Sequence, residues 1–391
     1  MRLLKFFNGK LLLPSGIQSN GCLIVKGNAI AQITNGPVEI LEAEHIDLNG
    51  AWLLPGFVDI HIHGGGDSDF MDGTVEGFIK VAETHARFGT TTMMPTTLSS
   101  TKEELVNTLE SYLGTAKRNH QGAKFAGMHI EGPYFAMSQR GAQDPRFVRN
   151  PDASEYKEIV SAYPCIRRWS AAPELPGALE FGSFLLKNGI LPSFAHTEAT
   201  HEDIVRGLQS GFTLATHLYS GMLGVTRRNA FRYAGAVEST LLLDEIDAEI
   251  IADGVHLPAP LLQLVYKTKG ASKVALITDA MRAAAMPPGL SRLGSRTNGL
   301  DVIVEDGVAK LPDRASFAGS VATTDRLVRT MVELAGIPLA DAVTMATTTP
   351  ARIIGIDKQT GSLEVGKSAD LVVMNAQLQV QSVFIDGNKV G

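Results

Sequence analysis

Between residues 57 and 279 the chain passes eight times from a short apolar run of strand length to a stretch with helical spacing, and this alternation restricts the fold more than any other feature. The runs are Phe57–His63, Thr91–Thr97, Phe125–Glu131, Arg168–Glu174, Ile190–His196, Phe212–His217, Glu249–Asp253 and Val274–Asp279. Strands separated by helices are expected to pair in parallel, because the chain needs a long crossover to re-enter a sheet in the same direction. The intervening segments carry helix signals. Ser100 and Glu103 form a capping-box pair ahead of Leu105, Leu109 and Tyr112. Thr200 precedes Ile204, Val205 and Leu208, and that helix should stop at Gly211. Phe78, Val81, Ala82, His85 and Phe88 line one face before Gly89. Eight such units predict an α/β fold, a (β/α)8 TIM barrel; a doubly wound sheet is the alternative that spacing alone leaves open.

The flanks read differently. Leu11-Leu12-Leu13, Cys22-Leu23-Ile24-Val25, Ala29–Ile33 and Ile46-Asp47-Leu48 are short runs broken by Gly, Asn and Pro, as in small antiparallel sheets. Asp370–Asn375 and Ser382–Gly387 repeat the pattern near the other end. The expected organisation is a small β-sandwich domain built from 1–54 and 347–391, with the barrel between, at 55–346. The 391 residues are 44% hydrophobic and 19% charged, which suits a globular protein with a sizeable core. A net charge of −6 gives no reason to expect a nucleic acid or an anionic membrane as partner. No apolar run approaches the ~18 residues of a membrane span. Met1–Phe7 lacks a secretion signal, and two well-separated cysteines, Cys22 and Cys165, fit a reducing compartment, so a cytoplasmic location is expected.

In a barrel the chemistry sits at the C-terminal ends of the strands. Those ends here carry His61 and His63, then Glu131, Glu174, His196, His217, Asp253 with His256 just beyond, and Asp279. His61 and His63 are two apart on a strand and share a side, and the three glycines after them let the backbone turn. Four of the ten histidines end predicted strands, which is not how core histidines scatter. Singly, each has a plainer role: Glu131 or Asp279 as a cap, His196 or His217 as a hydrogen-bonded core group. Together they predict a divalent metal site. Imidazole and carboxylate donors without thiolate suit Zn²⁺ first, with Fe²⁺ or Mn²⁺ as alternatives. Such an ion polarises a carbonyl and acidifies water, so the expected reaction is metal-assisted hydrolysis with Asp279 as acid and base. His85, His120, His129 and His201 are read as structural, and His45 as a surface residue of the terminal sheet.

The sequences Pro55-Gly56-Phe57-Val58-Asp59-Ile60-His61-Ile62-His63, Glu131-Gly132-Pro133-Tyr134, Ala215-Thr216-His217-Leu218-Tyr219, Ile251-Ala252-Asp253-Gly254-Val255-His256, Thr278-Asp279-Ala280-Met281, Ala318-Gly319-Ser320, Pro350-Ala351-Arg352 and Gly361–Leu371 run through nearly the whole chain. In this order they resemble the amidohydrolase superfamily, and within it the deacetylases of N-acetylated amino-sugar 6-phosphates. The resemblance implies a barrel with a terminal β-sandwich, a homodimer, and loss of acetate from N-acetyl-D-glucosamine 6-phosphate; the galactosamine epimer and other N-acyl amino sugars are alternatives. A catalytically silent scaffold, the remaining alternative, would be expected to lack ligands, and none is missing. The resemblance further implies that Glu131, His196 and His217 hold the principal ion. His61 and His63 would allow a second, with Glu131 bridging and Asp279 close by. The fourth strand ends Ala171-Ala172-Pro173-Glu174, without the lysine that bridges two metals in dihydroorotase-like relatives. Implied substrate contacts are Ala142, Ser220, Gly221, Arg228, His256, Phe317, Ala318 and Gly319. Arg227 and Arg232 are alternates to Arg228 for the phosphate, since three guanidinium groups cluster there. Ser220-Gly221 stands where the family has Asn-Ala, and Gly141-Ala142-Gln143 where it often has Gly-x-His. These departures fall on the sugar side and leave the metal side intact.

Overall fold

The computed structural model describes residues 2–115 and 118–391. All eight expected strands are present: β1 (Phe57–Ile62), β2 (Thr90–Pro95), β3 (Met128–Glu131), β4 (Ile166–Ala171), β5 (Leu191–Phe194), β6 (Leu214–Ala215), β7 (Asp247–Ile250) and β8 (Val274–Leu276). Between them run α1 (Val75–Ala86), α2 (Lys102–Thr115), α3 (Ala153–Ala162), α4 (Ala178–Lys187), α5 (His201–Gln209), α6 (Ala236–Leu242) and α7 (Ala259–Lys269), with α8 (Thr324–Glu333) after the last strand.

The fold is α/β. Strands β3 to β8 form one six-stranded parallel sheet in chain order, and β1 pairs in parallel with β2. Backbone bonds connect the two groups on both sides. Thr97 N donates to His129 O at 3.0 Å, and Asp279 N donates to His61 O at 2.9 Å. Every residue of β1 and β2 is buried, as expected for parallel strands covered on both faces. Between strands and helices lies one large apolar core that includes Phe57, Phe78, Trp169, Phe181, Phe194 and Leu262.

The helix signals fare unequally. Thr200 caps α5 in a full capping box with Asp203, and α1 buries Phe78, Val81, Ala82 and His85. Helix α2 corrects the expected cap by one residue. It begins at Lys102, and Thr101 Oγ1, not Ser100, accepts the N–H of Glu104 at 3.2 Å. Thr101 has a glutamate three residues on as well, so the two registers look alike in the sequence.

The terminal segments form two sheets. One is ordered Ala29–Thr34, Cys22–Lys26, Leu3–Phe7, Glu44–Asp47; the other interleaves both ends of the chain, with Leu371–Met374 antiparallel to Trp52–Pro55. Leu4, Phe6, Leu23 and Val25 from the first meet Leu11, Leu53, Leu371 and Phe384 from the second in a core of their own. Beyond β8 a hairpin of Leu300–Glu305 with Val308–Lys310 is extended by Gly289–Leu293 into three antiparallel strands. This small sheet packs through Leu293, Val302, Val304 and Ala309 onto Met281, Ala283 and Ala318, beside the strand ends.

Candidate metal centre and active-site cavity

Six of the polar residues at the strand ends meet. Glu131 Oε1 lies 2.9 Å from His217 Nε2, 3.5 Å from His196 Nε2 and 3.6 Å from His61 Nε2. Glu131 Oε2 lies 3.5 Å from His63 Nε2. Asp279 Oδ1 is 3.0 Å from His63 Nε2 and 3.4 Å from His61 Nε2, and those two ring nitrogens are 3.2 Å apart. Two overlapping groups have the donor types and spacing for a cation: His61, Glu131 and His217, and His61, His63 and Asp279.

Backbone shape explains how the chain delivers these groups. His196, His217 and Asp279, directly after β5, β6 and β8, have φ of 47°, 33° and 47°. Non-glycine residues seldom take this left-handed form, and it persists only where the surroundings over-determine it. Here the carbonyls are pinned: His196 O accepts from Ala136 N at 2.9 Å, and Asp279 O from Ser320 N at 2.7 Å. Gly221 completes the His196 corner, because a Cβ there would stand 2.6 Å from His196 Nδ1.

The hydrogen bonds behind the rings test whether an ion fits. His196 Nδ1 is 2.8 Å from Gln139 O and His63 Nδ1 is 3.2 Å from Thr96 O. A carbonyl only accepts, so both Nδ1 atoms carry hydrogen and both Nε2 atoms present lone pairs. His61 Nδ1 faces Glu249 Oε2 at 3.4 Å, which sets the same tautomer. Unprotonated at Nε2, the three rings would aim lone pairs at carboxylate oxygens that are also acceptors, in a buried space. Such an arrangement is repulsive unless a cation or protons lie between, and a divalent ion suits it. The titration directions agree. Burial would depress His61, but the Glu131 and Asp279 carboxylates outweigh it and lift the ring to about 10. Burial also opposes charge on Glu131, yet His61, His196 and His217 hold its carboxyl well below the usual range. Asp279 is lowered likewise, burial being overcome by His61 and His63.

Beneath the cluster the space between the strands is polar. Arg168, fully buried, pairs with both oxygens of Glu249, and its Nε donates to Ser193 Oγ at 2.9 Å and a terminal nitrogen to Thr216 Oγ1 at 2.8 Å. His129 sits here too, 2.6 Å from Ser170 Oγ, in a structural place. Neither Arg168 nor Glu249 was expected at the site. A charged residue inside a strand looks the same in sequence whether it faces solvent or an ion pair on another strand.

Above the cluster opens a cavity of about 370 Å³. Of the expected substrate contacts, Ala142, Ser220, Gly221, His256, Phe317 and Gly319 line it. Ala318 does not; it is fully buried in the core under the small antiparallel sheet. Arg227, Arg228 and Arg232 lie on an exposed hairpin, Thr226–Arg228 with Phe231–Tyr233, outside the lining. The cations that do line the cavity are Lys310 and Arg314, both paired with Glu305. His256 Nδ1 is 2.9 Å from Asp253 Oδ2, which leaves Nε2 as the ring's remaining polar atom. Glu174 takes no part in the cluster and instead binds Thr197 Oγ1 at 2.5 Å and Glu198 N at 2.6 Å. Gln143, where the family often has histidine, turns its amide into the cluster, donating to Glu131 Oε2 at 2.9 Å.

The amidohydrolase family profile matches residues 52–390. The chain is 32% identical to an N-acetylgalactosamine-6-phosphate deacetylase of Escherichia coli O157:H7, over 97% of each chain. It is also 32% identical to an N-acetylglucosamine-6-phosphate deacetylase of Lysinibacillus sphaericus, over 93% of this chain and 91% of the other. The structure of a substituted N-acetyl-D-glucosamine-6-phosphate deacetylase from Mycobacterium smegmatis, in complex with N-acetyl-D-glucosamine-6-phosphate, superposes with a TM-score of 0.91 at 29% identity, over 100% of both chains. Match, architecture and converging donors agree: the chain belongs to the amidohydrolase family, whose members are metal-dependent hydrolases acting on carbon–nitrogen bonds.

Proposed function

We propose that the chain hydrolyses the acetamido group of N-acetyl-D-glucosamine 6-phosphate, giving acetate and D-glucosamine 6-phosphate. The observation that carries this is the ring of lone pairs: imidazoles and carboxylates from five strands converge on one buried point below a sugar-sized cavity. We read Glu131, His196 and His217 as ligands of the principal ion, and His61, His63 and Asp279 as those of a second, with zinc the metal that best suits the donors. A bound divalent cation supplies Lewis acidity toward a carbonyl oxygen and toward water. Asp279, ionised and lining the cavity, takes a proton from the attacking water. As the carbonyl carbon becomes tetrahedral, His256, oriented by Asp253, holds the developing oxyanion. Asp279 then gives its proton to the departing amine as the C–N bond breaks.

On the sugar side we read Ala142, Ser220, Gly221, Phe317 and Gly319 as contacts, since all line the cavity. We keep Arg228, or Arg227 or Arg232, as the phosphate contact and the chain as a homodimer; all three guanidinium groups stand on the exposed hairpin, on which Phe231 is 72% exposed. We take the eight parallel strands as a (β/α)8 barrel spanning 55–346, and the two terminal sheets, 1–54 and 347–391, as a β-sandwich; the backbone bonds between β8 and β1 support the first and the shared core the second.

A second reading, the galactosamine epimer as substrate, is favoured by the Escherichia coli relative and by the departure at Ser220-Gly221, which line the cavity; the departure at Gln143 falls instead on the metal side. Acetate release from both phosphosugars and from free N-acetylglucosamine separates the readings. Asp279→Asn should lower turnover by about 10²–10⁴-fold, the usual weight of a positioned acid and base. Turnover within a few-fold of the parent would sink the assignment.

A further inference from the structure

Gln143 is 5% exposed, and two of its polar contacts are fixed. Its Oε1 accepts from Ser99 N at 2.8 Å, and its Nε2 donates to Glu131 Oε2 at 2.9 Å. The backbone bond holds the amide in one orientation, so its N–H points permanently at one oxygen of the carboxylate. The two oxygens of Glu131 thereby have different surroundings. Oε1 faces His217, His196 and His61 at 2.9, 3.5 and 3.6 Å; Oε2 faces Gln143 and, at 3.5 Å, His63. A free carboxylate rotates about its last bond and exchanges its oxygens, whereas one anchored by a buried donor does not.

We infer that Gln143 is a positioning residue for the metal: by engaging Oε2 it reserves Oε1 of Glu131 for the ion between His196 and His217. This rests on the reading of Glu131 as an ion ligand given above. This role is separate from any contact with the sugar, since it uses one N–H and one oxygen lone pair of an amide that also lines the cavity. Outer hydrogen-bond partners of metal ligands are commonly worth about 10–100-fold in metal affinity or activity.

The test is a Zn²⁺ titration of chelator-stripped full-length protein against a chromophoric competitor, comparing the parent with Gln143→Met, a shape-mimic without a donor. The expected result is an ion affinity about 10–100-fold weaker in the variant, with KM for the acetylated phosphosugar within twofold and kcat lowered at limiting zinc. Should the Met variant not fold by circular dichroism, Gln143→Leu carries the same expectation. Zinc affinity within threefold of the parent overturns the inference, and a raised KM alongside it would make Gln143 a sugar contact. Failure of the parent itself to bind zinc would overturn the reading of the metal centre as well, so the two failures are distinct.

Discussion

At the residue scale, what matters is how a buried polar group is partnered. His61, His63, His196 and His217 were legible as a set because a histidine at a strand's end is worth noticing and four of them are hard to explain otherwise. Their partners were not legible. Gln143 and Arg168 act through neighbours distant in sequence, Ser99 and Glu131 for one, Glu249 for the other, and no spacing rule connects residues 168 and 249. His85 shows the same limit in a group outside the cluster. It reads as one more residue of a helix face, yet its Nε2 donates to Gly64 O at 3.0 Å and its buried Nδ1 has no partner. Burial, only partly opposed by the Gly64 carbonyl and Asp325, lowers its pKa to about 4. Below pH 6.5 the unfolded chain therefore binds a proton here that the folded chain refuses, and stability falls as pH drops until about pH 4. The loss from this one group at pH 5 is about 2 kcal/mol relative to pH 7.5. In urea unfolding at the two pH values, His85→Gln should show a pH-dependent loss smaller than the parent's by that amount. Equal losses in both proteins would show that His85 takes up its proton without cost.

At the element scale the sequence was most informative where period and length agreed. All eight strands appear, and Thr200 caps α5 as expected, because a short apolar run followed by a capped amphipathic helix has few other ways to bury its surface. It was least informative where neighbouring residues offered the same signal. Ser100 and Thr101 are each followed three residues on by glutamate, so the start of α2 rests on packing that spacing does not encode. Leu105 and Leu109 face the core with either start, and the structure has Thr101 at the cap. The strand Leu3–Phe7 was missed for a related reason. Its Lys5 interrupts the apolar run, although the residue is itself nearly buried against the neighbouring strands. The cap is open to measurement. Thr101→Ala should cost about 1 kcal/mol of stability, the usual weight of an N-cap side chain, and Ser100→Ala about half that or less. The reverse order would return the cap to Ser100.

At the scale of the whole molecule the candidate ligands come from β1 and β3 and from the turns after β5, β6 and β8, so an ion held there ties five of the eight parallel strands at one end. Further links between distant segments include ion pairs at the periphery. Lys124 reaches Asp370 and Asp386 at 2.8 Å, and Arg352 reaches Asp247 at 2.7 Å, binding the last segments of the chain to strands of the parallel sheet. These pairs do not relieve the convergence of lone pairs on Glu131 and Asp279. Without a cation that end of the sheet must take up protons, as the raised His61 shows, or spread apart. A ligand that binds only the folded state stabilises it by RT ln(1 + [L]/Kd), about 2.7 kcal/mol when the free ion is a hundredfold above its Kd. Stripping the protein with a chelator should therefore lower its urea midpoint, and returning Zn²⁺ should restore it. His217→Ala, which removes an Oε1-facing ligand, should blunt the response to Zn²⁺. A midpoint indifferent to chelation and to added Zn²⁺ would mean that the six residues hold one another in place without an ion.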